Sequence, residues 1–328
     1  MQKENKKENS PLVSVIMPVY NSERYIKKTV SSILQQTYSN FELIIINDLS
    51  EDSTRQIINS IEDSRIKIFD NILKLGTTES YNLGFRKAKG EFIVICDHDD
   101  ISFRKRIELQ LNYLLNNPAV DVLGSQINVI DESDKYLYNI ASSINHNDIV
   151  LSLEKFGEGV NNPALMVRKS IFEKCGYYDE KYYPAADYEY YLRNSSALVL
   201  HNLELSLLEW RSLPSSVSHK NVKMFYKQIF LISKKHLYEK YYFMNRKKYY
   251  EYMTFRSYYT DHLLKATCYS LITLFNRTFS RDILRILINS TFFYFFIKII
   301  RKFNVIENPK FLKIKKKYFN KFSFYEKQ

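Results

Sequence analysis

Residues 92–100 of this 328-residue chain read Phe-Ile-Val-Ile-Cys-Asp-His-Asp-Asp. The apolar run 92–96 is typical of a buried β-strand, and the acidic residues 97–100 mark the point where that strand ends. Three carboxylates at one strand end repel each other unless a cation lies among them, and their hard oxygen atoms suit Mg²⁺ or Mn²⁺ shared with a diphosphate. An acidic surface turn that caps the next helix is the alternative, because aspartate is favoured at helix N-caps.

Upstream of this stretch, short apolar runs alternate with helical patterns. The apolar runs are residues 12–17, 43–46, 66–69 and 92–96, and the helical patterns are residues 22–36, 54–61 and 80–88. Such alternation predicts an α/β fold with a Rossmann-like, mainly parallel sheet and helices on both faces. The chain contains neither GxGxxG nor a P-loop sequence, which disfavours the usual dinucleotide-binding fold and a P-loop nucleotidase.

Polar residues also follow the first two predicted strands. Pro18, Val19, Tyr20 and Asn21 come after the first apolar run, and Asp48 follows the second. Ligands of open sheets bind beyond the carboxyl ends of the strands, so these segments are candidate ligand contacts. Asp48 could accept a hydrogen bond from an imide such as uracil N3, or it could be a turn former that bonds its own backbone.

Asp187 belongs to a further candidate segment, at the start of the helical pattern 185–193. Its carboxylate could act as a general base, or it could stabilise the helix start through the helix dipole. His98 and His219 have no partners at metal-ligand spacing, so neither predicts a metal cluster.

Charge is distributed unevenly along the chain. Residues 220–328 carry 24 Lys and Arg against 6 Asp and Glu, whereas residues 1–219 carry 24 against 30. This change predicts a domain boundary near residue 219. We expect three regions: a disordered N-terminus at 1–10, a main domain at 11–219 with halves at about 11–100 and 101–219, and a helical basic and aromatic extension at 220–328.

The cysteines and the first residues favour a cytoplasmic protein. Residues 1–10 are polar and contain no apolar segment of the kind found in secretory signals. Cys96, Cys175 and Cys268 lie far apart, which indicates free thiols and neither a disulfide framework nor a zinc site.

Several segments, in order, resemble the motifs of family 2 glycosyltransferases. The clearest are residues 13–21, 46–54, 82–93, 97–110 and 187–193. The resemblance covers about residues 12–218. It implies a GT-A fold and an inverting reaction of the bacterial surface-polysaccharide type. A sugar would pass from a nucleoside-diphosphate donor, expected to be a UDP-sugar, to a hydroxyl of a lipid-linked or growing surface glycan.

The resemblance also implies a role for each matching residue. Asp48 matches the acidic residue that reads the nucleobase, and residues 18–21 match the loop that lies against the nucleoside. Asp97 and Asp99 match the two ends of the DxD motif, with Asp99 holding Mn²⁺ or Mg²⁺, Asp97 near the ribose and the metal, and His98 between them in the donor site. Asp187 matches the base that deprotonates the acceptor hydroxyl.

Three residues depart from the family pattern. Asn47 replaces the first of the usual paired acids, Ala186 replaces the glutamate before the base, and Leu213 replaces a histidine that follows the pair Trp210-Arg211 in many relatives. The last replacement removes the metal ligand that this loop would supply.

The extension at 220–328 matches no motif. Its uncharged aromatic run 286–297 is too short to span a bilayer but, with lysine and arginine on both sides, suits an anionic membrane surface. We expect peripheral attachment to the inner face of the cytoplasmic membrane. Alternatively, apolar stripes in this region pack on the main domain or on a second copy in a homo-oligomer, for example Val222, Phe225, Ile229 and Ile232.

Two other functional classes share features with this sequence. A nucleotidyltransferase also combines an α/β sheet with a metal and a nucleotide, but the early part of the chain has no glycine-rich, lysine-bearing loop for a triphosphate. A nucleic-acid-binding protein would use the basic residues and interleaved aromatics of 220–328. The ordered motifs favour the enzyme, and no nucleic acid is expected as a partner.

Overall fold

The computed structural model of the chain describes residues 10–155, 159–213, 216, 222–242 and 253. The chain divides into two compact units, one formed by residues 1–153 with 158–228 and the other by residues 154–157 with 229–328. All the family motifs lie in the first unit.

The N-terminal half of the first unit is a parallel sheet with helical connections. Its strands are β1 (Val13–Val19), β2 (Phe41–Asn47), β3 (Ile66–Asp70) and β4 (Phe92–Ile95). Its helices are α1 (Ile26–Leu34), α2 (Thr54–Asn59) and α3 (Gly76–Lys87). The strand order is β3-β2-β1-β4, and every residue of β1, β2 and β4 is buried, as expected for apolar runs covered on both faces. The predicted alternation is confirmed, and the carboxyl ends of these strands meet at one edge.

The rest of the first unit extends the same sheet. Its strands are β5 (Ile101–Ser102), β6 (Val122–Ile130), β7 (Tyr136–Ile140), β8 (Met166–Arg168) and β9 (Leu200–Arg211). Its α-helices are α4 (Arg106–Asn116), α5 (His146–Lys155), α6 (Ser170–Cys175) and α7 (Ala186–Arg193). The complete order is β3-β2-β1-β4-β8-β6-β9-β5, with β7 paired to β6.

Strand direction distinguishes the two halves of this sheet. The pairs β1–β2, β1–β4 and β2–β3 are parallel, as the sequence predicts for the first half, and the pair β6–β9 is parallel as well. The pairs β4–β8, β6–β8, β5–β9 and β6–β7 are antiparallel, so the sheet as a whole is mixed. A short turn joins β6 to β7, and such a turn permits only antiparallel pairing.

Helix α3 packs directly on β1 because of one glycine. A Cβ atom on Gly84 would overlap the side chain of Ile16. The close approach brings Tyr81, which precedes Gly84 in α3, to the end of β4, where the acidic residues begin.

The described part of the second unit is helical. Residues 229–237 complete helix α8 (Val222–Leu237), and Tyr238–Tyr242 form a π-helical turn. Of the predicted packing stripe, Ile229 and Ile232 are buried and Phe225 is half-buried; the role of the stripe stays a prediction. The aromatic run 286–297 lies outside the described residues, so the membrane assignment stays a prediction. Within the parts of the chain that are described, no helix has the length and apolar composition needed to cross a bilayer.

Candidate active site

The loops that follow β1 and β2 are fastened to each other. The amide of Asn21 donates to Ser50 Oγ at 3.2 Å, and Asn21 Oδ1 accepts from the amide of Glu51 at 2.8 Å. The amide of Ser22 donates to Thr54 Oγ1 at 2.7 Å. Asn21 has φ of 45°, in the left-handed region that asparagine tolerates better than most residues. These bonds hold the two loops as one preorganised edge of the site.

Asp48 organises the loop that leads into α3. Its Oδ1 accepts from the amide of Leu75 and from Asn71 Nδ2, both at 2.8 Å, and its Oδ2 accepts from the amide of Gly76 at 2.9 Å. Lys74 Nζ donates to the carbonyl of Asp48 at 2.9 Å. Asp48 is only 4% exposed. The carboxylate therefore bonds the backbone of a neighbouring loop instead of its own turn, with both oxygens already engaged.

Tyr20 is an exposed member of the segment 18–21. Pro18 and Val19 are buried in β1, whereas 39% of the surface of Tyr20 is exposed. Lys74 Nζ lies 2.6 Å from the centroid of the Tyr20 ring. A nucleobase that stacks on this face of Tyr20 must therefore displace Lys74.

Asp97 is the first residue of the DHDD loop, by which we mean residues 97–100. The hydroxyl of Tyr81 lies 2.5 Å from Asp97 Oδ1 and 3.1 Å from the carbonyl of Cys96. Burial, together with the charge of Asp99, raises the pKa of Asp97 above its ordinary value. Tyr81 thus fixes the direction of a carboxylate that is costly to ionise. The motifs gave no signal for Tyr81, because its role depends on how α3 packs.

The other members of the DHDD loop have different partners. His98 Nδ1 lies 2.8 Å from Ser22 Oγ, which joins the DHDD loop to the loop after β1. Asp100 is buried and accepts from the amide of Arg211 at 2.9 Å. No described residue donates a hydrogen bond to the carboxylate of Asp99. Within the described chain, Asp99 is therefore the acid of this loop with both carboxylate oxygens free of hydrogen bonds, whereas Asp97 and Asp100 each have one oxygen engaged.

A buried arginine lies behind the DHDD loop. Arg106 is fully buried and donates to the carbonyl of Ile95 at 3.0 Å and to Ser102 Oγ at 3.1 Å. Its charge favours the ionised forms of Asp97 and Asp100. Burial and the neighbouring acids nevertheless outweigh it and raise the pKa of Asp100 well above its usual range. The sequence analysis expects a metal ion to relieve the repulsion among these carboxylates. Arg106 already relieves part of that repulsion.

Asp187 lies in the first turn of α7. The N-cap position is Ala185, so Asp187 is not the capping residue, although its Oδ1 accepts from the amide of Tyr188 at 2.8 Å. Burial raises the pKa of Asp187 to about 6, and the charge of Asp97 acts in the same direction. The two acids therefore lie within electrostatic reach of each other. A carboxylate with this pKa can take up a proton near neutral pH.

Asn82 connects helix α3 to the segment that leads to α7. Its Nδ2 donates to the carbonyl of Tyr178 at 2.9 Å, and its Oδ1 accepts from the amide of Tyr178 at 3.1 Å. The hydroxyl of Tyr178 lies 3.0 Å from that of Tyr191 in α7. This chain of contacts ties the helix that holds Asp97 to the helix that carries Asp187. The sequence marked Asn82 as part of a motif but gave no role for it.

The acids can supply part of a metal coordination shell. Among the described residues, no group of three or more His, Cys, Asp and Glu side chains is arranged to hold a metal ion. Asp97 and Asp99 offer carboxylate oxygens, whereas Leu213 is buried and apolar. This donor set fits a hard cation such as Mg²⁺ or Mn²⁺ that also binds oxygens of a diphosphate and water.

A comparison with protein families matches residues 14–176 to the family described as Glycosyl transferase family 2. The first unit of the chain therefore belongs to glycosyltransferase family 2, which confirms the resemblance seen in the motifs.

Curated relatives agree with this assignment. The chain is 34% identical over 215 residues to an uncharacterized glycosyltransferase of Haemophilus influenzae, covering 62% of this chain and 66% of that protein. It is 40% identical over 114 residues to the Escherichia coli UDP-Glc:alpha-D-GlcNAc-diphosphoundecaprenol beta-1,3-glucosyltransferase WfgD, covering 35% of this chain and 45% of WfgD. The match thus spans less than two thirds of either relative.

A solved structure shows the same fold. The crystal structure of S. aureus TarS 1-349 in complex with UDP-GlcNAc superposes with a TM-score of 0.59 at 18% identity, covering 85% of this chain and 79% of that one. The likeness confirms the expected GT-A architecture.

Proposed function

We propose that this chain is an inverting, metal-dependent glycosyltransferase. It moves a sugar from a nucleoside-diphosphate donor, specifically a UDP-sugar, to a hydroxyl of a lipid-linked or growing surface glycan. The observation that carries the proposal is Asp187, a half-buried carboxylate with a pKa of about 6 within electrostatic reach of Asp97. Such a base beside the donor-binding acids suits displacement at an anomeric carbon.

The proposed reaction is a single displacement. Asp187 accepts the proton of the acceptor hydroxyl while the bond from that oxygen to the anomeric carbon forms and the bond to the diphosphate breaks. Asp99 and Asp97 would hold Mn²⁺ or Mg²⁺, which supplies neutralising charge for the leaving diphosphate when bound. Tyr81 keeps Asp97 directed through its hydroxyl.

The nucleoside would lie against Tyr20 and Asp48. Asp48 already accepts three hydrogen bonds, and a carboxylate has about four lone-pair positions, so one imide N–H can still be accommodated. A uridine donor is supported by two similar proteins: TarS has been solved with UDP and with UDP-GlcNAc, and the name of WfgD specifies UDP-Glc.

The comparison with WfgD also supports the proposed acceptor. The name of WfgD specifies a GlcNAc-diphosphoundecaprenol acceptor. We propose a lipid-linked acceptor of this class for the present chain, which would then work peripherally at the inner face of the cytoplasmic membrane.

The experiment has two parts. UDP, GDP and CMP are first compared by thermal shift with and without Mn²⁺, because the matching nucleotide stabilises the protein by mass action. The UDP-sugars are then offered with a GlcNAc-diphosphate-lipid acceptor, and the anomeric configuration of the product is read by NMR. Stabilisation by UDP and inversion of the anomeric centre support the proposal. Retention of configuration, or stabilisation by GDP or CMP alone, contradicts it.

A further inference from the structure

Arg211, the last residue of β9, joins the DHDD loop to another turn. Its Nε donates to the carbonyl of Asp99 at 2.8 Å, and its amide donates to Asp100 Oδ1 at 2.9 Å. On the other side, Nη1 donates to the carbonyl of Asp131 at 2.9 Å, and Nη2 lies 2.5 Å from Asp134 Oδ1. The side chain is only 1% exposed. A guanidinium that is engaged on both sides and excluded from water holds a fixed geometry.

The position of Asp99 depends on the guanidinium of Arg211 more than the positions of Asp97 and Asp100 do. Asp97 is directed by the hydroxyl of Tyr81, and Asp100 by the amide of Arg211. The carboxylate of Asp99 receives no hydrogen bond from the described residues, so the backbone, which fixes where the side chain starts, is the part of Asp99 that its neighbours hold. The backbone carbonyl of Asp99 is in turn held by Arg211 Nε.

The turn that Arg211 binds on its other side is itself anchored. The turn between β6 and β7, residues 131–135, is tied to the start of α1 by two ion pairs. Lys28 Nζ lies 2.5 Å from Asp134 Oδ2, and Arg24 Nη1 lies 3.1 Å from Glu132 Oε2. Arg211 therefore fastens the DHDD loop to a braced part of the domain.

We propose that Arg211 is a positioning residue for metal-dependent donor binding, acting through the backbone of Asp99. The inference rests on the proposed function, in which Asp99 holds the cation. The segment 211–213 would then have a role even though Leu213 replaces the histidine expected from the family pattern. It would orient the metal ligand Asp99 instead of supplying a metal ligand of its own. Residues that hold metal ligands in place are worth about 10- to 100-fold in metal affinity.

The test is the affinity for UDP measured by calorimetry with and without Mn²⁺. We expect Mn²⁺ to tighten UDP binding to the wild type, and Arg211→Met to lose about tenfold or more of that gain. Binding of UDP without metal should be unchanged, because Tyr20 and Asp48 lie on other loops. Arg24→Met is the matched control: it removes an exposed arginine that pairs with Glu132 of the same turn without touching the DHDD loop, and should keep the full gain.

Arg211→Lys guards against a folding failure of the methionine variant. Lysine keeps the buried charge but not the fork, so it should keep the fold and lose most of the metal-dependent gain. If either folded Arg211 variant shows the same Mn²⁺-dependent increase in UDP affinity as the wild type, the proposal is overturned. An equal loss in Arg24→Met also overturns it, because the effect would then belong to the turn. If the wild type shows no gain with Mn²⁺, the metal assignment itself fails, and this inference fails with it.

Discussion

At the scale of single residues, burial sets the chemistry of the acids. Asp187 and Asp97 both have raised pKa values because they are withdrawn from water; the charge of Asp97 adds to the shift of Asp187, and the charge of Asp99 adds to that of Asp97. For a base, a pKa near the working pH combines the ionised state with a useful proton affinity. The position of Asp187 could be predicted from its motif, whereas its pKa could not, because it depends on which elements cover α7.

The pH dependence of transfer follows from Asp187. Its pKa is raised to about 6, so the group is ionised and active above that pH and protonated below it. We expect kcat/KM to rise with pH through about 6 and to level off toward pH 8. The profile is measured at saturating metal, with UDP binding over the same range as the control. A rate that stays constant from pH 5 to pH 8 would contradict the assignment of the base.

Tyr81 should matter through its hydroxyl alone. Tyr81→Phe keeps the ring that packs near Phe85 but removes the donor to Asp97. A hydrogen bond to a charged group is worth about 1.5–3 kcal/mol, so we expect transfer to fall by about tenfold or more. The control is Tyr38→Phe, which removes a tyrosine hydroxyl that donates to the carbonyl of Pro11 and touches neither Asp97 nor α7. Equal transfer rates in the two variants would show that the bond to Asp97 has no special role.

At the scale of elements, Asn82 connects α3 to the chain before α7. Asn82→Ala leaves both the amide and the carbonyl of Tyr178 without their partner in a buried position. Each lost partner costs about 1–3 kcal/mol, so Tm should fall by several degrees and transfer should weaken as α7 shifts. Asn116→Ala is the control, since Asn116 is exposed and bonds only its own helix. Similar Tm values for the two variants would contradict the role of Asn82.

The sequence predicts the elements of the first half well because buried parallel strands leave continuous apolar runs. The predicted run 92–96 became β4 (Phe92–Ile95), and 66–69 became β3 (Ile66–Asp70). It does not predict the antiparallel insertion of the three-residue strand β8 between β4 and β6, because so short a strand has no periodicity. The motifs single out Asp97, Asp99 and Asp187 as candidate site residues. They do not reveal that Tyr81, Arg106 and Arg211 surround the acids of the DHDD loop. Those contacts join residues far apart in the chain.

At the scale of the whole molecule, the acidic first part and the basic extension have different expected partners. Each lysine or arginine near an anionic membrane contributes about 1 kcal/mol, and residues 220–328 carry 24 of them. We expect the full chain to float with vesicles that contain anionic lipid, and a chain ending near residue 280 to float less. Neutral vesicles are the control. Equal flotation of the two chains, or none for either, would leave packing as the role of the extension.

The central claim is that Asp187 is the base of a sugar transfer whose donor is bound elsewhere in the site. It is tested most directly by measuring UDP affinity and transfer in Asp187→Asn, which keeps the size and the helix contact of the side chain but cannot accept the proton. Asp179→Asn, which changes an aspartate at the start of a nearby helical turn, is the matched control. We predict wild-type UDP affinity in both variants, near-normal transfer in Asp179→Asn, and transfer reduced by about 10²-fold or more in Asp187→Asn. Normal transfer by Asp187→Asn, with UDP affinity unchanged, would contradict the account.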